Sequence, residues 1–194
     1  MAAPYGFRFD GGRVCLDLVA TAGGNPAAGE RLTGPVPLAA WLAGAQVVPP
    51  GAPLDGVDVR WVARFRALRE PLGRAVRAEL LGRAAASDLA LLNAAAGAAP
   101  PPVVHVVRGP DGALTGVLAQ PPDCAGLLAA VARDAVALLA DPVARGQLRQ
   151  CAGDGCSLVY LDASRGRRRR WCSSEVCGNR ARVARHRRRT GRAG

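Results

Sequence analysis

A chain of 194 residues, 49% of them hydrophobic, can hold one domain of ordinary size plus a small appendage. Its 26 basic residues, all of them arginine, outnumber the 15 acidic residues and give a formal net charge of +11. The apolar content excludes a disordered chain. The longest apolar stretch, residues 124–140, is interrupted by two charged residues and is too short to span a bilayer, so no membrane partner is expected.

The predicted elements begin with an ambiguous segment. Residues 12–21 form a short apolar stretch that fits either a buried strand or the start of a helix, and periodicity alone does not separate the two. A short helix is predicted over 38–45. A longer amphipathic helix begins near Val57, because apolar residues recur from there at three- and four-residue steps. Pro71 lies inside that pattern and should kink the helix or divide it in two.

The middle of the chain carries the clearest sheet signal. The pair Ser87–Asp88 should cap a helix that continues to residue 96. The apolar runs 103–107 and 114–118 are joined across an Asp-Gly turn, which favours a β-hairpin. A further amphipathic helix is predicted over 124–139.

The arginines are concentrated near the C-terminus. Residues 149–194 hold 13 arginines and three acidic residues, whereas residues 1–148 hold 13 arginines and 12 acidic residues. A charge distribution this one-sided favours a polyanion as partner. The change in charge also predicts a domain boundary between residues 148 and 149.

Four of the six cysteines form two C-x4-C pairs, Cys151 with Cys156 and Cys172 with Cys177. The N-terminus lacks the basic start and apolar run of a secretory signal, so we expect a cytoplasmic, nucleoid-associated protein whose thiols stay reduced. In that setting clustered cysteines indicate a metal site, and four thiolates complete a tetrahedral site for one zinc ion. The alternative is a set of disulfides or of unrelated buried cysteines.

The segments between and outside the two pairs carry further predictions. Residues 157–161 and the approach to Trp171 could form a hairpin between the pairs. Cys15 and Cys124 are remote in sequence from the four, and we expect them to be buried free thiols.

Two arginine-rich segments flank the second cysteine pair. One is the loop 165–170, and the other follows Gly178 without a further glycine or proline to residue 189, which predicts a helix. Guanidinium groups can bind phosphates or guanine edges. His186 could instead replace one thiolate, but four cysteines already complete the site. The candidate nucleic-acid-binding residues are Arg165, Arg167, Arg168, Arg169, Arg170, Asn179, Arg180, Arg182, Arg185, His186, Arg187, Arg188 and Arg189.

The segment Cys172–Arg180, which reads C-S-S-E-V-C-G-N-R, resembles the CGNR zinc finger family. The resemblance extends to the first cysteine pair, to Asp162-x-Ser164 and to the run from Arg168 to Trp171. It implies a zinc finger that binds DNA through the basic helix.

An upstream segment, L-D-L-V-A-T at residues 16–21, resembles the L-D-F-V-N-T opening of the alanine-rich ABATE domain that usually precedes this finger. Members of that family are regarded as stress-induced transcription regulators, so the resemblance implies a sensory or assembly domain. Its candidate effector-binding residues here are Asp17, Thr21 and Trp41. Ala20 stands where the family motif has asparagine, so a pocket or cap formed by that asparagine would be altered.

We therefore expect an α+β fold, with a mainly helical N-terminal domain that contains a β-hairpin (1–148) and a small treble-clef-like zinc finger (149–194). The expected function is that of a bacterial transcription regulator that binds duplex DNA, with residues 1–148 binding a small-molecule effector or forming a homodimer.

Other classes of function were weighed against this one. An enzyme is disfavoured because the chain has two histidines and none of the usual catalytic motifs, and because a four-thiolate zinc site leaves no position for water. An RNA-binding or ribosome-associated module would use the same basic surface, although few aromatic residues offer platforms for unpaired bases. A redox sensor is a further alternative, since zinc thiolates can be oxidised.

Overall fold

The computed structural model describes residues 4–23 and 29–190, and of Pro4, Arg189 and Thr190 the backbone only. The elements are helices interrupted by two small hairpins: α1 (Val14–Ala20), α2 (Pro35–Gly44), α3 (Val59–Glu79), α4 (Ala86–Gly97), β1 (Val104–Arg108), β2 (Leu114–Leu118), α5 (Cys124–Ala140), α6 (Pro142–Arg145), β3 (Leu148–Gln150), β4 (Val159–Leu161) and α7 (Asn179–Thr190). Both hairpins are antiparallel. The predicted α+β class is confirmed. Among the described helices, none has both the length and the apolar character needed to cross a membrane.

The ambiguous segment near the N-terminus is a helix. In α1 every residue from Cys15 to Ala20 is buried, and the helix packs against both α3 and α5. A helix that is enclosed by other helices can be apolar around most of its circumference. Its sequence therefore lacks the alternation of apolar and polar positions that would have identified it.

Helix α3 continues through Pro71 without dividing, so that part of the prediction is wrong. A proline in a helix removes one backbone hydrogen bond and crowds the preceding turn. Here the ring is buried, between the buried side chains of Leu68 and Leu72, and this packing offsets the cost. Asp58 begins the helix by accepting hydrogen bonds from the backbone N–H groups of Arg60 and Trp61.

The predicted cap of α4 is also wrong. The residue before the helix is Ala85, which makes no side-chain cap, and Ser87 and Asp88 lie within the first turn. Asp88 instead forms an ion pair with Arg74 of α3, at 2.6 Å between Nη2 and Oδ1. The acidic residue therefore joins two helices and does not cap one.

The first hairpin lies within one residue of its predicted position. Val106 pairs with Gly116 at its centre, and Gly112 takes the left-handed conformation (φ +79°) that the turn requires. All residues of β1 are exposed. The hairpin thus contributes little to the core.

The main core lies between α1, α2, α3, α4 and α5. Trp41 of α2 is fully buried and packs edge-on against Phe65 of α3, with ring centroids 6.0 Å apart. Cys15 and Cys124 are buried free thiols, as predicted. Leu148 and Val159 of the second hairpin belong to the same core. The cysteine-rich segment is therefore packed against the helical part of the chain.

Candidate metal centre and basic surface

The first cysteine pair lies in the loop of the second hairpin. Strand β3 pairs with β4, and Cys151 continues the ladder by donating its N–H to the carbonyl of Leu158 at 2.9 Å. The loop turns back at Gly155 (φ +67°), and the N–H of Cys156 donates to Gly153 at 2.9 Å. The predicted hairpin between the two cysteine pairs is wrong, because β4 pairs with residues that precede the first cysteine.

The loop that follows β4 is organised by a buried carboxylate. Asp162 accepts hydrogen bonds from both the N–H and the hydroxyl of Ser164, at 3.1 and 2.5 Å, and from the N–H of Arg169 at 3.0 Å. These hydrogen bonds, the Ser164 hydroxyl first, lower the pKa of the Asp162 carboxyl. The loop is folded around this carboxylate, and so it is not available as a strand.

The second pair leads into the basic helix. Residues Ser174–Gly178 form a single π-helical turn, which Ser173 caps through its hydroxyl, and α7 begins directly after it. Cys177 therefore lies where a helix begins. Backbone N–H groups and the helix dipole favour an anionic sulfur at that position.

The four sulfurs form one cluster. The Sγ atoms of Cys151, Cys156, Cys172 and Cys177 all lie within 4.8 Å of one another, with 3.8 Å between Cys156 and Cys172 and 3.5 Å between Cys172 and Cys177. Zinc–sulfur bonds of about 2.3 Å in a tetrahedron separate the sulfurs by roughly 3.8 Å. All four are free thiols. The donor set fits a closed four-thiolate metal site.

Burial opposes ionisation of the Cys156, Cys172 and Cys177 thiols. It raises the pKa of Cys156 to about 11 and raises that of Cys172 further. Burial also raises the pKa of Cys177, but hydrogen bonds from Arg180 and the neighbouring thiols outweigh it and hold that pKa below its ordinary value. Metal binding needs all four thiolates, so loading the site would release protons.

Two arginines of the predicted nucleic-acid set make contacts within the finger itself. Arg180 donates from Nη2 to the sulfur of Cys177 at 3.2 Å. Arg169 lies over the ring of Tyr160, 4.4 Å from its centroid, and donates to the carbonyls of Trp171 and Cys172. Both guanidinium groups thus have partners within the protein. Arg180 is nevertheless exposed, as is Arg182, which donates to the carbonyl of Ser174 at 3.3 Å.

The remaining members of the set form an exposed basic surface on two sides of the cluster. Loop 162–170 and helix α7 carry it, and His186 and Asn179 are exposed on the same helix. The side chain of Arg189 lies outside the described part of the chain. With Arg180 and Arg182 included, the exposed arginines of the surface are Arg165, Arg167, Arg168, Arg170, Arg180, Arg182, Arg185, Arg187 and Arg188.

A cleft of about 290 Å³ separates the loop of the first pair from α7. Ala181 and Ala184 line this cleft on the side of α7. Trp171 lines this cleft and also a second one, of about 440 Å³, on the side of Asp10. The charged residues around the first cleft are Asp154, Arg170, Arg180, Arg185 and Arg188.

Comparison with known families finds two matches along the chain. Residues 12–142 match the family model ABATE, which is described as "Putative stress-induced transcription regulator". The chain belongs to the ABATE family. Residues 147–190 match the CGNR zinc finger, so the cysteine cluster lies in a segment whose relatives are zinc fingers. No curated protein matches the chain.

The candidate effector-binding residues of the ABATE region are all buried. Asp17 is buried and accepts the N–H of Gly11 at 2.9 Å, and burial raises the pKa of its carboxyl to about 7. Thr21 donates to Leu18 and accepts from buried Arg69 at 2.9 Å. Trp41 lies in the core, and its indole N–H has no protein partner among the described residues.

Residues just before the ABATE match approach the CGNR finger, and sequence reasoning did not find them. Arg8 donates from Nη2 to the sulfur of Cys172 at 3.4 Å, and Arg169 donates to the carbonyl of Asp10 at 3.3 Å. Both residues lie outside the matched ranges and are separated from the finger by about 160 positions in sequence. No motif in the sequence marks them.

Proposed function

We propose that this protein is a transcription regulator whose zinc-loaded finger binds nucleic acid, with duplex DNA as the preferred form. One observation carries the proposal: nine exposed arginines lie on two segments that adjoin the same cysteine cluster, which a bound metal would hold in place. Each can place a bidentate guanidinium on a phosphate or on a guanine edge. A basic surface that is held rigid in this way supports binding to a regular duplex.

The metal has a structural role in this proposal. One zinc ion would be held by Cys151, Cys156, Cys172 and Cys177 and would supply the stability that such a short segment lacks. The four thiolates fill the coordination sphere, so no position is left for a reactive water. We accordingly propose a binding protein and not an enzyme.

The ABATE region supplies the regulatory part of the proposal. A single finger contacts few base pairs, so recognition of a specific site calls for two copies or for a second signal. We propose that this region mediates homodimerisation or binds a small-molecule effector.

Trp171 favours a second candidate, binding of single-stranded RNA. Its side chain is half-buried between the two clefts, and the guanidinium of Arg170 lies 5.3 Å from its ring centroid. A base could stack on such a ring in a sequence-tolerant way. In an RNA-binding or ribosome-associated module, the Trp171 ring would bind unpaired bases, and duplex DNA would not be the preferred ligand.

Fluorescence anisotropy on random duplex DNA, single-stranded DNA and structured RNA separates the two candidates. The zinc-loaded and chelated proteins are compared over a salt series, with metal content measured alongside. Zinc-dependent preference for duplex, with a log–log salt slope of about −0.9 per neutralised phosphate, is expected. Preference for RNA or single strands would replace the duplex proposal with the second candidate. Equal binding before and after chelation would show that the arginine-rich segments bind as an unstructured polycation, without help from the metal site.

Two exposed arginines of α7 give a direct test of the surface. The double variant Arg185→Ala/Arg188→Ala should bind duplex DNA more weakly and with a shallower salt slope, since both side chains lie on the rim of the cleft. Arg60→Ala/Arg83→Ala is the matched control, because both are exposed arginines of the ABATE region and the same number of charges is removed. An equal loss in both variants would point to net charge and not to this surface.

A further inference from the structure

The segment Phe7–Gly12 connects the helical part of the chain to the metal centre. Its Arg8 guanidinium lies 3.4 Å from the sulfur of Cys172, and the carbonyl of Gly11 accepts the N–H of Leu161 at 2.9 Å. Arg169 donates to Asp10 in the same stretch. Three separate contacts thus join this segment to the finger.

The segment is itself held firmly on the other side. Phe7 is buried in the main core, and the N–H of Gly11 donates to the carboxyl of Asp17 on α1 at 2.9 Å. Asp10 accepts from Nε of Arg8 at 2.7 Å and fixes the direction of the guanidinium. Arg8 therefore approaches the sulfur from a fixed position.

The charge of the cluster explains why an arginine belongs there. Four thiolates around one divalent ion leave an excess of negative charge, and Cys172 is almost fully buried, so solvent screens that charge poorly. Arg180 donates to Cys177 and Arg8 donates to Cys172. Two guanidinium groups, one from each part of the chain, thus compensate two different ligands. N–H donors to metal-bound groups typically hold the ligand in place and raise metal affinity.

We infer that Arg8 is a positioning residue of the metal centre, and that metal binding and docking of the segment Phe7–Gly12 are thermodynamically coupled. The inference rests on the proposed zinc site but not on nucleic-acid binding. Coupling is reciprocal: a change in the helical part that withdraws Arg8 weakens metal binding, and loss of metal loosens the segment. The segment is thereby a route by which a signal in the ABATE region can reach the finger.

The test compares the full-length chain with Arg8→Ala, Arg8→Lys and Arg60→Ala, where Arg60 is an exposed arginine of α3. Zinc affinity is measured by competition with a chromophoric chelator, and the cobalt-loaded proteins are compared by their thiolate-to-cobalt absorption. Arg8→Ala should lower metal affinity about 10- to 100-fold and shift the absorption. Arg8→Lys should recover most of the affinity, and Arg60→Ala should match the parent chain.

A second readout follows the coupling in the unaltered protein. Hydrogen exchange at the N–H of Leu161 should be slow with zinc and faster after chelation, because its acceptor Gly11 lies in the segment. Wild-type affinity in Arg8→Ala, or exchange that is insensitive to zinc, would overturn the inference. If the parent chain bound no zinc, the proposed zinc site would be wrong as well. Zinc binding without nucleic-acid binding would leave the inference intact.

Discussion

Arg180 donates a hydrogen bond from Nη2 to the sulfur of Cys177 at 3.2 Å, one helical turn away in sequence. The contact lowers the pKa of that thiol against the effect of its burial. It also gives the arginine of the C-G-N-R run a role within the protein. A basic residue beside a finger is easily assigned to nucleic acid, yet this one, although exposed, contacts a cysteine of the metal centre, whereas Arg185, five residues further along α7, is exposed and lines the cleft beside it.

Arg180→Ala and Arg185→Ala should therefore differ in their effects: the first should weaken zinc binding, and the second should weaken DNA binding. Loss of the N–H···S bond in Arg180→Ala should lower zinc affinity about 10- to 100-fold. Arg185→Ala should leave zinc affinity unchanged and reduce the salt slope of DNA binding by about 0.9. Chelator competition and salt-dependent anisotropy on both variants measure the two effects. If Arg180→Ala retained its zinc and lost only DNA affinity, the assignment of Arg180 to the metal centre would be wrong.

Cys172→Ser should release the metal and abolish zinc-dependent binding while the helices of the ABATE region stay folded. Serine oxygen is a poor substitute for a thiolate on zinc, and Cys172 is the sulfur that Arg8 contacts. Metal content, circular dichroism and anisotropy follow the three properties. Cys124→Ser is the control, since it alters a buried cysteine outside the cluster and should cost stability without releasing metal.

Gly153→Ala should weaken metal binding because the chain has no room for a side chain there. A Cβ atom at this position would lie 3.1 Å from Cβ and 3.2 Å from Sγ of Cys177. Moving that sulfur, or the loop, should cost about 1–3 kcal/mol. In Gly97→Ala an added Cβ meets nothing within 4 Å, and the helix should gain up to about 1 kcal/mol. Zinc-loaded thermal unfolding of both variants gives the comparison, and equal behaviour would contradict the packing argument.

Asp17 should make the fold less stable as pH rises from about 4 to about 7. Burial first, then the nearby carboxylates of Asp10 and Asp134, raise the pKa of its carboxyl to about 7, whereas the unfolded chain has the ordinary value of 3.8. Between these values the folded state keeps a proton that the unfolded state releases, so the free energy of unfolding falls with pH and levels off above 7. The full effect is on the order of 4 kcal/mol at most.

Asp17→Asn should remove this pH dependence, because its amide oxygen can still accept the N–H of Gly11 without a charge. Urea unfolding at several pH values between 4 and 8 measures the difference from the parent chain. Asp55→Asn changes an exposed carboxyl and is the control. A pH profile that is identical for Asp17→Asn and the parent would show that the carboxyl stays ionised in the fold.

The local patterns of the sequence predicted most helices, the first hairpin and the four clustered cysteines. These features depend on short-range rules: the spacing of apolar residues, the conformation that a turn demands and the ligand preference of a metal. The same rules failed where a distant partner decided the outcome. Ser87 and Asp88 have the chemistry of a helix cap, but Arg74 takes the carboxylate, and the burial of Pro71 allows α3 to pass through it.

The sequence by itself determined that this chain carries a thiolate cluster within a strongly basic segment, because the ligand residues, their spacing and the charge can all be identified in the sequence. Only the tertiary structure decided which arginines make contacts within the protein. The sequence predicts the same nucleic-acid-binding role for Arg169 and Arg180 as for the neighbouring arginines. In the structure each donates to an acceptor within the protein, and Arg8, from the other end of the chain, donates to Cys172. Such contacts depend on how the elements pack, since buried donors and charges are stable only where the folded chain brings partners to them.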